Sequence, residues 1–249
     1  MTEEQLKILL FHQENKYIEQ FTIICNESKH SERLEQPIIL DNNKNYNVSL
    51  IFFTVYNTIK NITSTNNSFH YQEKGKEWKT VKLREGSYEI DNLNTEIQKI
   101  TGLDENVFRF GAIQYLNRAE LRIGKDSGLK VKFDSASFGS ILGFDNVIYD
   151  KTTTAQKRAD ITKISTINIK TNLIDGGYIG NKRNNILHTI PTFTVPVGYK
   201  IIEKPNYPIK VPLAKKIIDV ISIEIVDEDG KLIDFSGEEI TIKINIEQV

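Results

Sequence analysis

Residues 223–249 read IEIVDEDGKLIDFSGEEITIKINIEQV, and the fold follows from how its two halves are understood. In the second half Ile240, Ile242, Ile244 and Ile246 alternate strictly with polar residues, so all four lie on one face of a half-buried strand. In the first half an acidic run, Asp227, Glu228 and Asp229, precedes Gly230. Such a run is either a metal or acid/base site or a bend between strands. A calcium loop of the EF-hand type needs spaced oxygen ligands and a late bidentate Glu, and DEDGKLIDFSGEE lacks that spacing. Asp229-Gly230 between the strand-like IEIV and KLIDF is instead a strong signal for a hairpin turn with positive φ. The run is therefore expected to be a hairpin tip between the last strands.

Working outward, IIDVISIEIV (217–226) sets Ile217, Ile221, Ile223 and Ile225 on one face. Ile218, Val220 and Val226 add apolar residues on the other, which predicts a strand covered on both sides. ITKISTINIKTNL (161–173) carries Ile167, Ile169 and Leu173 in period two. YIEQFTIIC, YNVSLIFFTVY, WKTVKL, AELRI and LKVKF are further short strands, separated by turn-rich DNNKNYN and TSTNNS. Abundant Ile, which packs well on a pleated surface, and abundant Asn, which suits turns, agree with a mainly β chain.

Helical signals are few. In DNLNTEIQKITG (91–102) Leu93, Ile97 and Ile100 form one stripe, Asp91 is the expected N-cap, and Gly102 stands where a glycine ends a helix. SASFGSILGF (135–144) predicts a single turn stopped by Gly143 and anchored by Phe138, Ile141, Leu142 and Phe144. DNVIYDKTTTAQKRADIT (145–162), polar and Thr-rich, is the expected mobile excursion. The pattern predicts an all-β protein: a sandwich, jelly roll or related barrel from residues 1–73 and 161–249, with 74–160 as an inserted region holding extra strands and one short helix.

Composition narrows function. In 249 residues, 32 basic side chains nearly balance 33 acidic ones, so no dedicated or specific nucleic-acid binder is expected, although local patches remain open. Cys25 is the single cysteine, so the chain has no internal disulfide, which fits an intracellular origin. MTEEQLKILLFHQENK has the wrong order for a secretory signal, and no apolar run approaches the length of a membrane span. The sequons at Asn47 and Asn61 are discounted on the same ground.

No constellation suggests chemistry, and no catalytic, cofactor-binding or metal residue is assigned. His12, His30, His70 and His188 never approach zinc-ligand spacing. There is no G-x-S-x-G elbow for a nucleophile. GGYIGNKRNN (176–185) and GSILGF (139–144) lack the Gly-Lys-Ser/Thr ending of a phosphate loop; Lys182 and Arg183 could touch phosphate or an acidic partner but such pairs are usually solvated. IPTFTVPVGYKIIEKPNYPIKVPL (190–213) holds Pro191, Pro196, Pro205, Pro208 and Pro212, all but one of the six prolines. It should run as edge or linking chain, and Tyr199 and Tyr207 in it suit a contact surface.

The order FTIIC, LEQPIILDNNKNYNVSLIFFTVYNTIKNIT, WKTVKLREGSYEIDNLNTEIQK, KVKFDSASFGSILGF, ILHTIPTFTVPVGYKIIEKPNYPIKVPL and ISIEIVDEDGKLIDFSGEEITIKINI resembles the minor capsid (penton) proteins of Polinton/Maverick elements and their virophage relatives. The resemblance runs from about Phe21 to the end; its most specific pieces are GSYEI, ILGF, PVGYKIIEKP and DEDGKLIDFSGEEITI. It implies a jelly-roll capsomer, a homopentamer closing the fivefold vertices of an icosahedral capsid beside a double-jelly-roll major capsid protein. It also implies a virion location after assembly in the host cell, without a cofactor or a chemical step. A closed ring uses heterologous contacts, which need complementary surfaces. The reading from a different class is a β-sandwich binding module, such as a viral spike or a receptor- or carbohydrate-attachment protein. Trp78, the single tryptophan, lies in an ordinary strand pattern and gives that reading little support.

Overall fold

The computed structural model describes residues 18–161, 164–179, 182–192 and 195–249. Eight strands make a sandwich: β1 (Ile18–Cys25), β2 (Lys29–Ile39), β3 (Tyr46–Tyr56), β4 (Thr166–Thr171), β5 (Ile186–Pro191), β6 (Lys200–Glu203), β7 (Ile217–Val226) and β8 (Ile240–Gln248). One sheet has the order β1-β8-β3-β6, the other β5-β4-β7-β2, and every ladder in both is antiparallel. Consecutive strands β1 and β2, β3 and β4, β5 and β6, and β7 and β8 thus lie in opposite sheets. This is a jelly roll.

The period-two isoleucines explain the stacking. Ile240, Ile242, Ile244 and Ile246 are all buried, as are Ile221, Ile223 and Ile225 of β7 and Ile167 and Ile169 of β4. One expectation fails at the start of β7. Its pairing with β2 breaks between Ile218, opposite Ile38, and Val220, opposite Arg33, and the buried face of β7 changes across that break. Ile218 is therefore buried and Ile217 is 59% exposed. On the second face Val220, Ser222 and Glu224 are half-buried and only Val226 is buried, so β7 is not covered on both sides.

The chain divides into two compact units, the sandwich (described residues up to Asn57, with Ile164–Val249) and an insert of described residues 58–161 between β3 and β4. The insert begins earlier than residue 74. Ser68–Gln72 pairs with Lys79–Lys82 and Lys130–Lys132, so it belongs to the insert's own four-stranded sheet, which Ile148–Tyr149 completes. A three-stranded sheet runs Thr153–Thr154, Arg118–Ile123, Phe108–Ile113. The supposed excursion over 145–161 thus contributes a strand to each sheet. It is held further by backbone bonds from Lys157 to Gly143, Ala159 to Asn117 and Asp160 to Ile141.

Helix α1 (Ile90–Thr101) ends as expected, with Gly102 at φ 69° and its N–H donated to the Gln98 carbonyl at 2.8 Å. Its start differs. The cap position is Glu89, without a side-chain cap bond, and Asp91 lies within the first turn. Leu93 and Ile97 are buried, but Ile100 is 45% exposed. Asn94 takes its place in docking: its amide donates to the Phe110 carbonyl and accepts from the Phe110 N–H, each at 2.8 Å. SASFGSILGF forms a short 3-10 turn (Phe138–Ser140), with Phe138, Leu142 and Phe144 buried and Ile141 half-buried. These anchor an aromatic core in which Phe69 stacks on Phe108 at 5.7 Å and Phe133 on Phe144 at 5.4 Å.

Candidate functional site

The acidic run is a turn. The Asp227 carboxylate accepts the N–H groups of Asp229 (2.9 Å) and Lys231 (2.8 Å), while the Asp227 N–H donates to the Lys231 carbonyl at 2.9 Å. Gly230 has φ 82°, the left-handed backbone that glycine accepts without penalty. Asp229 pairs with Lys231 at 3.1 Å, and Glu228 turns away to accept the backbone N–H groups of Ser165 (3.2 Å) and Thr166 (3.4 Å). The three carboxylates diverge, each engaged locally. Among the described residues no group of three His, Cys, Asp or Glu could hold a metal ion.

The turn is not the tip of a hairpin between paired strands. Only the Val226–Leu232 bridge follows it, and β7 and β8 are not partners. The chain instead crosses from one sheet to the other. Ile233 and Phe235 are buried on the way, and the Ser28 hydroxyl donates to the Ile233 carbonyl. Burial of alternate residues made KLIDF look like a strand.

The histidines stay apart. His70 lies between Thr80 Oγ1 (2.9 Å) and Asp134 Oδ2 (2.8 Å), and that bond holds the Asp134 carboxyl below the usual carboxylate range. His188 of β5 reaches Glu203 of β6 at 3.2 Å, joining the edges of the two sheets. His30 stands 3.9 Å from Glu32, and His12 lies outside the described residues. Thr80, His70 and Asp134 thus stand in a row across the insert's four-stranded sheet, with Thr80 exposed. Cys25 is buried, and desolvation raises its thiol pKa, the opposite of an activated nucleophile.

In the glycine-rich segment Gly177–Ile179 pairs with Lys182–Asn184 as a small ribbon; Gly180 and Asn181 lie outside the described residues. The proline-rich segment behaves as linking and edge chain. Pro191 ends β5, β6 is a sheet edge, and Val211–Pro212 lies along β3. An open pocket of about 220 Å³ in the insert is lined by Ile90, Ile113, Arg118, Arg158 and Ile161 among others, with no carboxylate, thiol or imidazole. No helix among the described residues is long and apolar enough to cross a membrane.

One surface escaped the sequence reading. Cross-strand pairing sets Ile24, Thr241, Thr54 and Ile202 in a row over the outer face of the β1-β8-β3-β6 sheet. Ile24 and Ile202 are exposed, and so is Tyr56 beside them. Lys200 stands 4.9 Å over the Tyr56 ring and Lys243 5.8 Å over Phe52. The signal was present in YNVSLIFFTVY, whose apolar residues occupy both faces of the strand.

The fold is that of a single jelly roll with a folded insert in the connection between its third and fourth strands. It is similar to the crystal structure of the mavirus penton protein, with a TM-score of 0.51 and 11% identity over 94% of this chain and 100% of that one. The Sputnik virophage structure determined by cryo-EM matches with a TM-score of 0.46 and 11% identity over 92% of this chain and 97% of that one. No protein-family model and no curated protein sequence matches the chain.

Proposed function

We propose that this chain is a structural capsid protein of a virus or virus-like element, a penton subunit that closes as a ring of five at the vertices of an icosahedral shell. Its neighbours there are its own copies and a major capsid protein of the double jelly-roll type. It acts in the virion after assembly in the host cell and performs no chemical step. The observation that carries the reading is the strand order β1-β8-β3-β6 against β5-β4-β7-β2 with a folded insert after β3, in a fold similar to the mavirus penton protein along nearly all of both chains. Two features support it. The acidic run after β7 is taken up by a turn and His188 by a contact between sheet edges. The exposed Ile24, Tyr56 and Ile202 give the sandwich an apolar outer sheet face of the kind that subunit contacts cover.

The test is the solution mass of the purified chain by size-exclusion chromatography with light scattering, alone and after co-expression with a double-jelly-roll capsid protein. A ring of about five times 28.6 kDa, or incorporation into particles, is expected. A monomer that neither forms rings nor joins particles, yet binds a glycan array, would move the reading to an attachment module.

A further inference from the structure

The near-zero net charge conceals a division between the two ends of the sandwich. The ladders pair Gln248 with Tyr46 and Ile217 with Ile39 at one end, and Cys25 with Ile240 at the other. The connections after β2, β4 and β6 therefore gather at the first end, and those after β1, β5 and β7 at the second. At the first end these connections carry Lys44, Lys204, Lys210, Lys215 and Lys216 against Asp41 and Asp175, with Glu247 at the end of β8 beside them. At the second, the single connection after β7 carries Asp227, Glu228, Asp229, Asp234, Glu238 and Glu239 against Lys231.

We infer that the lysine-bearing end of the sandwich docks on nucleic-acid phosphates, which sets that end toward the packaged genome and the acidic end away from it. Resting on the capsid reading for the presence of a genome, the inference adds an orientation and a partner surface.

Several local facts favour phosphate over a solvated face. Lys44, Lys204 and Lys215 are exposed and form no ion pair among the described residues. Lys216 lies 4.8 Å over the Tyr46 ring and donates to the Lys44 carbonyl, which draws the two connections together. Lys210 is the one held by an acid, Glu247. Pro205, Pro208 and Pro212 restrict the connection after β6, and pairing of Val211–Pro212 with β3 ties it down, so little ordering entropy is lost on contact. Within it Tyr207 is 93% exposed, an aromatic ring between two lysines that can stack on a base or lie along a sugar. Lysines are point charges without geometric selectivity, so the contact is to backbone phosphates and insensitive to sequence. A polyanion would be repelled from the other end.

The test measures binding of a fluorescently labelled duplex of arbitrary sequence by anisotropy, between about 50 and 200 mM salt. Each neutralised phosphate contributes about −0.9 to the slope of log K against log salt, so three to four contacts predict a loss of roughly 40- to 150-fold across that range. Lys44→Glu/Lys204→Glu/Lys215→Glu should weaken binding at least tenfold and flatten the slope at an unchanged melting temperature. Lys130→Glu/Lys132→Glu, a charge reversal of the same kind in the insert, should bind as the unaltered chain does. Absence of salt-dependent binding, or equal loss in both variants, would overturn the inference. So would a triple variant that loses self-association while unaltered rings ignore the duplex, because the lysines would then serve the acidic end of another copy. Ring mass measured on the same samples separates the two readings: rings that form but do not bind sink the orientation alone, whereas chains that bind but never form rings sink the vertex reading.

Discussion

The sandwich and the insert solve the burial problem with different residues. In the sandwich, isoleucines and valines at every second position of long strands carry the core, and buried aromatics are limited to Tyr46, Phe53 and Phe235 among the described residues. In the insert, Phe69, Phe108, Phe110, Phe133, Phe138 and Phe144 pack edge-to-face and stacked, brought together from short strands and a 3-10 turn. Long ladders of β-branched residues define register, because a one-residue slip would expose the whole set. A cluster of rings defines volume instead, since each ring fills space that no single strand controls. The sandwich is thus suited to a fixed frame, and the insert to a separately cored body whose strands can be short.

The largest effect should come from breaking the aromatic cluster. Phe110 is fully buried against Phe108, Phe133, Phe138 and Phe144, so Phe110→Ala is expected to remove about 3–5 kcal/mol from the insert. Trp78, the single tryptophan, lies in the insert and reports on it by fluorescence. Its unfolding midpoint should fall while the β-sheet circular dichroism of the sandwich holds; a common shift in both signals would deny the insert its own core.

The reciprocal change is Ile244→Ala, at a fully buried position of β8, with an expected loss of about 2–5 kcal/mol. Here the circular dichroism transition should move and the Trp78 transition should not. Smaller still, Gly230→Val forces a β-branched residue to φ 82°, at about 1–2 kcal/mol. Open space surrounds the position, so backbone strain is the whole cost and Gly230→Asn should recover most of it. Denaturant midpoints of the two variants measure the difference.

The smallest effect concerns pH. The hydrogen bond from His70, aided by Ser137 and the Ala136 N–H, lowers the pKa of Asp134 in the folded insert. The stabilisation from a depressed carboxyl is fully present above its unfolded pKa and is lost as pH falls through the folded value. The Trp78 transition should accordingly weaken in acid, below the ordinary carboxylate range, and Asp134→Asn should flatten that acid limb without altering the sandwich.

These differences also explain what the sequence revealed. Ile240 to Ile246 and Ile221 to Ile225 were legible because alternation is local and survives without knowledge of the partner strand. The bulge that exposes Ile217 was not, since it depends on where β2 departs from β7. The start of the insert was not legible, because only the pairing of Ser68–Gln72 with Lys79–Lys82 and Lys130–Lys132 assigns that strand to it. The acidic turn was legible in its Asp-Gly pair, while the crossover beyond it was not, as Ile233 and Phe235 mimic strand alternation. The row that sets exposed Ile24 and Ile202 on either side of Thr241 and Thr54, and the separation of charge between the sandwich's ends, both arise from strand order, which no single segment encodes.

Imaging of icosahedral particles assembled from a double-jelly-roll capsid protein, with and without this chain, bears most directly on its role as a vertex subunit. With the chain present, density in which the eight strands fit as a fivefold ring is expected at the vertices, and without it the vertices should be open or the particles should fail to close. Particles whose vertices are sealed by another protein while this chain sits elsewhere, or is left behind in solution, would contradict it.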